Sequence, residues 1–235
     1  MIILHDGTPH EFRKSFVPDI EVIAHALSYI NRFTGHVGQY SVAQHCVLVA
    51  MMLPKELKLS GLLHDATEAY LGDVSAPLKR LLPDYKNIEQ YYHAVIDLHY
   101  GVQTEHPTIK EYDLRMLIAE AKYFGLPLEH FPNVEPLYTT LEVWKPECAK
   151  EAFLAMYYNL TNKVKPGVVG VETPEEKECL DNIDRSQLQA LGESIGERYY
   201  CQCDNDQCGS WFQLGKEGDT CKDCESGKLH PQDVG

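Results

Sequence analysis

One short stretch, Gly61 to Asp73 (GLLHDATEAYLGD), limits what this chain can fold into more than any other. It places an adjacent imidazole and carboxylate, His64 and Asp65, inside an apolar run flanked by Leu62, Leu63 and Ala66. A carboxylate in such surroundings is costly unless it meets a cation or hydrogen-bond donors. The fold must therefore bring such partners to it from elsewhere in the chain. The run reads as a helix from Leu57 to Tyr70, on which Glu68, three and four residues beyond the pair, turns toward the same quadrant. Imidazole and carboxylate together are the usual ligands of divalent first-row metals, and a nearby acid can exchange a proton with water at such a site.

Two further elements carry the same residue types. Ser41 to Gln44 reads as a capping box that opens a helix with Val42, Cys46, Val47, Val49, Ala50 and Leu53 as its apolar content, and His45 rides on it. Downstream, Ile109, Leu114, Leu117, Ile118 and Ala121 recur at helical spacing with Asp113 among them. Three helices thus each bring a ligand type to a bundle interior, in the order His45, His64 with Asp65, then Asp113. Asp19 caps a first helix through Ile20, Ile23, Ala24, Leu27 and Ile30, and further helical patterns run from Ile88 to His99 and from Glu147 to Leu160. Strand signals are scarce through this part, so the expected body is all-α.

The ordered set resembles the HD-domain phosphohydrolase superfamily, in particular the bacterial 5′-deoxynucleotidases and the phage HD phosphohydrolases, which include dATP triphosphohydrolases. The resemblance also covers Asn31-Arg32-Phe33, Val42-Ala43-Gln44-His45, His64-Asp65-Ala66-Thr67-Glu68, Gly72-Asp73 and Pro77-Leu78-Lys79, and it extends over about the first two-thirds of the chain. Phe33 stands where the deoxynucleotidases carry Trp.

What the resemblance implies is an HD-type helical bundle that hydrolyses a deoxynucleotide at its α-phosphate. His45, His64, Asp65 and Asp113 would hold one divalent ion, drawn from Mn, Co, Mg, Fe, Ni or Zn. Glu68 would orient or deprotonate water, and Asp73 would assist it or bind the sugar hydroxyl. Arg32 and Lys79 would grip phosphate, with Phe33 packing on the nucleoside; apart from the resemblance, His36 stands close enough to Arg32 in sequence to reach a phosphate, the alternative being a loop-packing role. Lys79 followed by Arg80 tips the expected substrate toward a deoxynucleoside triphosphate, dATP first, giving deoxynucleoside and triphosphate. A 5′-deoxynucleotidase acting on monophosphates is the alternative, and a silent nucleotide-sensing HD module is a third.

The tail carries the second signal. Five of the eight cysteines fall between Cys201 and Cys224. Cys203-x4-Cys208 and Cys221-x2-Cys224 have the paired-knuckle layout of a zinc ribbon, with Cys201 an alternative to Cys203. One structural zinc on Cys203, Cys208, Cys221 and Cys224 is expected there, in a small β module. Cys46, Cys148 and Cys179 read as ordinary thiols. The expected division is an HD domain over 1–162, a linker over 163–198 with room for one short helix around Arg185 to Leu191, and the zinc-ribbon-like module over 199–235.

Charge limits the partners. With 21 Lys plus Arg against 35 Asp plus Glu the formal net charge is −14, which disfavours nonspecific nucleic-acid binding and leaves an anionic substrate to be attracted locally. Neither a signal-peptide pattern nor an apolar run of membrane-spanning length is visible, so the reading is a cytoplasmic enzyme, expected as a homo-oligomer with no membrane partner.

Overall fold

The computed structural model describes residues 1–12, 14–137 and 141–163, together with the backbone of three strands at 199–203, 213–215 and 229–231. The chain divides into two compact units, Met1–Thr161 and Asn162–Gly235. The first is built almost wholly from helices: α1 (Ile20–Tyr29), α2 (Val42–Met52), α3 (Lys58–Leu62), α4 (Glu68–Leu71), α5 (Ala76–Lys79), α6 (Pro83–Tyr100), α7 (Pro107–Tyr123) and α8 (Pro146–Thr161). A two-residue antiparallel pair, β1 (Ile2–Ile3) with β2 (Pro9–His10), precedes them. Among the described residues no helix is long and apolar enough to cross a membrane.

Helix α2 is the centre of this unit. Every residue from Val42 to Ala50 is buried, and the helix packs against α1, α3, α7 and α8. A helix with no charged residue, apolar at every position but Gln44 and His45, has no polar face to turn outward, which is why α2 becomes the axis on which the others lie. Its start is fixed by Ser41, whose hydroxyl accepts from the Gln44 N–H at 3.1 Å. Only this half of the expected capping box forms. The Gln44 carboxamide instead donates to the Glu142 carbonyl and accepts from the Trp144 N–H at 2.9 Å, tying α2 to the segment before α8. Asp19 caps α1 as expected, accepting from the N–H groups of Glu21 at 2.8 Å and Val22 at 3.1 Å.

The expected helix from Leu57 to Tyr70 is broken. After a 3₁₀ turn at Lys55–Leu57 comes the short α3, then residues 63–67 run as successive tight turns before α4 begins at Glu68. The bonds there span three residues, with Ala66 N–H donating to Leu63 at 3.0 Å and Glu68 N–H to Asp65 at 2.9 Å. The Gly61 carbonyl, which a continuous helix would use for the N–H four residues on, accepts the imidazole Nδ1–H of His64 at 2.7 Å.

Gly61 itself sits against α2, where an added Cβ would stand 2.1 Å from Leu53 Cδ1 and 3.6 Å from Ala50 Cα. That contact brings the turns of 63–67 down onto α2.

In the second unit β3 (Tyr199–Cys203) pairs antiparallel with β4 (Gln213–Gly215) on one side and β5 (Leu229–Pro231) on the other. Cys201 and Cys203 lie on β3. Cys208, Cys221, Cys224, Cys179 and the helix expected around 185–191 lie outside the described residues. Cys148, read from sequence as an ordinary thiol, is disulfide-bonded.

Candidate metal centre

His45 is on the second turn of α2, and the packing of α3 on that helix brings His64 within 5.3 Å of it, ring centroid to ring centroid. Ligand atoms of His45, His64 and Asp65 all lie within 4.8 Å of one another, a group that could hold a metal ion. Asp113, on the first half of α7, flanks the group, with Oδ1 3.0 Å from His45 Nε2 and 3.9 Å from His64 Nε2. Asp65 Oδ2 is 3.2 Å from His64 Nε2 and 3.8 Å from His45 Nε2.

The two imidazoles are oriented from behind. His64 Nδ1 faces the Gly61 carbonyl, which can only accept, so Nδ1 carries the hydrogen. His45 Nδ1 is 2.6 Å from Glu120 Oε1. Both Nε2 atoms are buried and, despite the nearby carboxylates, lack an aligned hydrogen-bond partner. Two unpartnered imidazole nitrogens converging with carboxylate oxygens are a donor set suited to a divalent transition metal.

The electrostatics agree. Burial and Arg32 disfavour charge on His45, yet the Glu120 and Asp113 carboxylates outweigh them and raise its pKa. His64 is raised well above the usual imidazole range because Asp65 overcomes the cost of burial. Asp65 and Asp113 are conversely held below the ordinary carboxylate range, burial being overridden by the facing imidazoles. A divalent cation held there would balance the same carboxylates.

Glu68 behaves oppositely. It is 6% exposed, its Oε2 has no partner, and burial with Asp65 and Asp73 drives its pKa well above the usual value. Asp73, which follows the Gly72 turn, is also raised, first by burial. Lys79 reaches this flank: Nζ is 2.5 Å from Glu89 Oε1 on α6 and 3.9 Å from Glu68 Oε1.

The remaining expected residues are less closely gathered. The Arg32 fork is committed to Glu120, with Nε at 3.0 Å and Nη2 at 2.9 Å from Oε2, while Nη1 lies 3.8 Å from Asp65. Phe33, in the left-handed region at φ 54°, is half-buried beneath the Arg32 guanidinium and edge-on to Phe124. His36 is exposed at the end of the same 3₁₀ turn, its backbone N–H bonded to Phe33. Arg80 is exposed.

Sequence reasoning missed Glu120, Tyr40 and Glu89. Glu120 was the findable one: it is fully buried, seven residues after Asp113 on α7, between Ile118 and Ala121.

Just under half of the chain matches each of two curated relatives. It is 50% identical over 109 residues to the uncharacterized protein YfdR of Escherichia coli K12, a match covering 46% of this chain and 61% of that protein. It is 32% identical over 110 residues to an uncharacterized protein of Rhodobacter capsulatus, covering 42% of this chain and 53% of the relative. The chain thus spans less than two-thirds of the length of the curated relatives it matches. No family model matches it.

Proposed function

We propose that the first unit is an HD-type, divalent-metal-dependent phosphohydrolase acting on deoxynucleoside phosphates at the α-phosphate. The observation that carries this reading is the convergence of the unpartnered Nε2 atoms of His45 and His64 with Asp65, beside a buried carboxyl, Glu68, whose Oε2 is also unpartnered. His45, His64, Asp65 and Asp113 would hold the ion. Bound there, it would neutralise phosphate charge and favour attack by water.

Glu68 can hold or release a proton at Oε2, and Asp73 on the same flank can orient the substrate or share that proton. Lys79 is the cation beside Glu68, able to exchange Glu89 for a phosphate oxygen. Arg32 acts as counter-charge to Glu120 and, through Nη1, to Asp65, and would share that nitrogen with a phosphate oxygen. Phe33 offers a half-buried ring beside that edge for a nucleoside. The tail would carry one structural zinc on Cys203, Cys208, Cys221 and Cys224, with Cys201 the alternative to Cys203.

A deoxynucleoside triphosphate, dATP first, is the proposed substrate. One observation favours the 5′-deoxynucleotidase reading instead: Glu89 already neutralises Lys79, and Glu68 and Asp73 add acid to the same flank, an environment that suits the smaller charge of a monophosphate. The test is an assay of the purified chain with Mn, Co and Mg on a panel of deoxynucleoside mono- and triphosphates. Release of deoxyadenosine and triphosphate from dATP in one step supports the first reading, and phosphate from dAMP alone supports the second. Turnover of neither, with nucleotide bound tightly, points to a sensing module. In the active case His64→Ala and Asp65→Ala lose turnover by orders of magnitude, because the ion supplies most of the charge stabilisation; near-normal rates with unchanged metal content would refute the site.

A further inference from the structure

Glu120 is a fully buried carboxylate whose four lone-pair directions are all taken. Oε1 accepts from Tyr40 Oη at 2.8 Å and from His45 Nδ1 at 2.6 Å. Oε2 accepts from Arg32 Nε at 3.0 Å and Nη2 at 2.9 Å. Tyr40 is itself fully buried, and Arg32 is pinned at its backbone, where its N–H donates to the Tyr40 carbonyl at 2.8 Å. Neighbouring bonds close the same loop: Val42 N–H reaches the Ile30 carbonyl at 2.9 Å and Tyr40 N–H the Asn31 side chain at 3.2 Å. The carboxylate therefore stands in one place, held by three bonds from Tyr40 and Arg32, with the imidazole making the fourth.

We propose that Glu120 is a positioning residue of the metal centre: it fixes His45 in the tautomer with hydrogen on Nδ1, so that the Nε2 lone pair faces Asp65, Asp113 and His64. Arg32 serves this assembly as the counter-ion that keeps Glu120 charged, and its Nη1, 3.8 Å from Asp65, extends the same restraint to a second ligand. A carboxylate behind a ligating imidazole sets ring orientation and raises ligand basicity. The inference rests on the metal-holding reading of His45, His64 and Asp65 and is independent of which reaction the ion serves.

The test is titration of the metal-free full chain with Mn²⁺, chosen because thiolates of the tail compete poorly for it. Glu120→Gln replaces one acceptor oxygen with a donor, so at least the bonds made by that oxygen are lost. It is expected to weaken Mn²⁺ binding about 10- to 100-fold. Tyr40→Phe, which leaves the carboxylate on His45, is expected to weaken it less. A merely structural Glu120 would lower the metal-free melting midpoint and leave the Mn²⁺ dissociation constant of the folded variant unchanged, and that result overturns the proposal.

Should Glu120→Gln fail to fold, the wild type decides. Long-range ¹H–¹⁵N spectra of the Zn²⁺-loaded chain are expected to show His45 with hydrogen on Nδ1, and hydrogen on Nε2 overturns the proposal. Absence of Mn²⁺ binding by the wild type also overturns it. Mn²⁺ binding that depends on Glu120 without turnover of any nucleotide supports it and removes only the phosphohydrolase reading.

Discussion

At the scale of single residues, the chain places titratable groups in two contrasting environments. At the candidate metal centre, facing charges outweigh burial for His45, His64, Asp65 and Asp113. At His10, burial decides it. The ring is 4% exposed, with Nε2 2.6 Å from the hydroxyl of Tyr92, and it is packed among Phe12, Phe16, Tyr70 and Tyr92, so its pKa is lowered from 6.5 chiefly by desolvation. A lowered imidazole pKa means that below pH 6.5 the unfolded chain takes up a proton the folded chain resists. Stability should therefore be unaffected by His10 above that pH and fall as the pH drops through it. His10→Phe should unfold with a shallower acid slope than the wild type in denaturant titrations between pH 7 and 5.5. It should also lose about 1–3 kcal/mol at neutral pH from the orphaned Tyr92 hydroxyl. An acid slope identical to that of the wild type would show that His10 does not titrate as its burial requires.

At the scale of elements, the centre depends on how closely α3 lies on α2. Gly61 permits that approach, and any Cβ there meets the end of the Leu53 side chain before it meets the backbone of Ala50. Because Leu53 can swing aside, Gly61→Ala should destabilise by only about 1–3 kcal/mol, the usual range for overpacking. A branched residue such as Val should cost more and separate His64 from His45. Urea denaturation measures the first effect, and Mn²⁺ titration of Gly61→Val measures the second. Full stability and unchanged metal binding in Gly61→Val would show that the contact does not position the ligand. The same packing explains why the expected long helix over Leu57–Tyr70 breaks: the Gly61 carbonyl is taken by His64 Nδ1, so the chain turns tightly through 63–67 and restarts at Glu68.

At the scale of the whole molecule, the two proposed metal sites fall in different units. If the tail holds a zinc on its cysteines, a chain ended after Thr161 should lose one zinc by elemental analysis and retain Mn²⁺ binding at His45, His64 and Asp65; loss of both from a folded fragment would tie the tail to the centre. The sequence alone determined the set of groups that burial makes expensive. A His-Asp pair in an apolar run and a His on a mainly apolar helix each require partners, and desolvation cost is a property of residue type and local pattern. Asp19 and Ser41 announced the starts of α1 and α2 for a similarly local reason, since a cap bonds to N–H groups two or three residues away.

What only the tertiary structure decided is which partner each group meets. Glu120 reaches His45 across 75 residues of chain, Arg32 reaches Glu120 across 88, and Glu89 reaches Lys79 from a different helix. An arginine fork satisfies a phosphate and a carboxylate equally well, so its choice of Glu120 follows from how the Arg32–Tyr40 loop and α7 converge on α2, and no local pattern encodes that convergence.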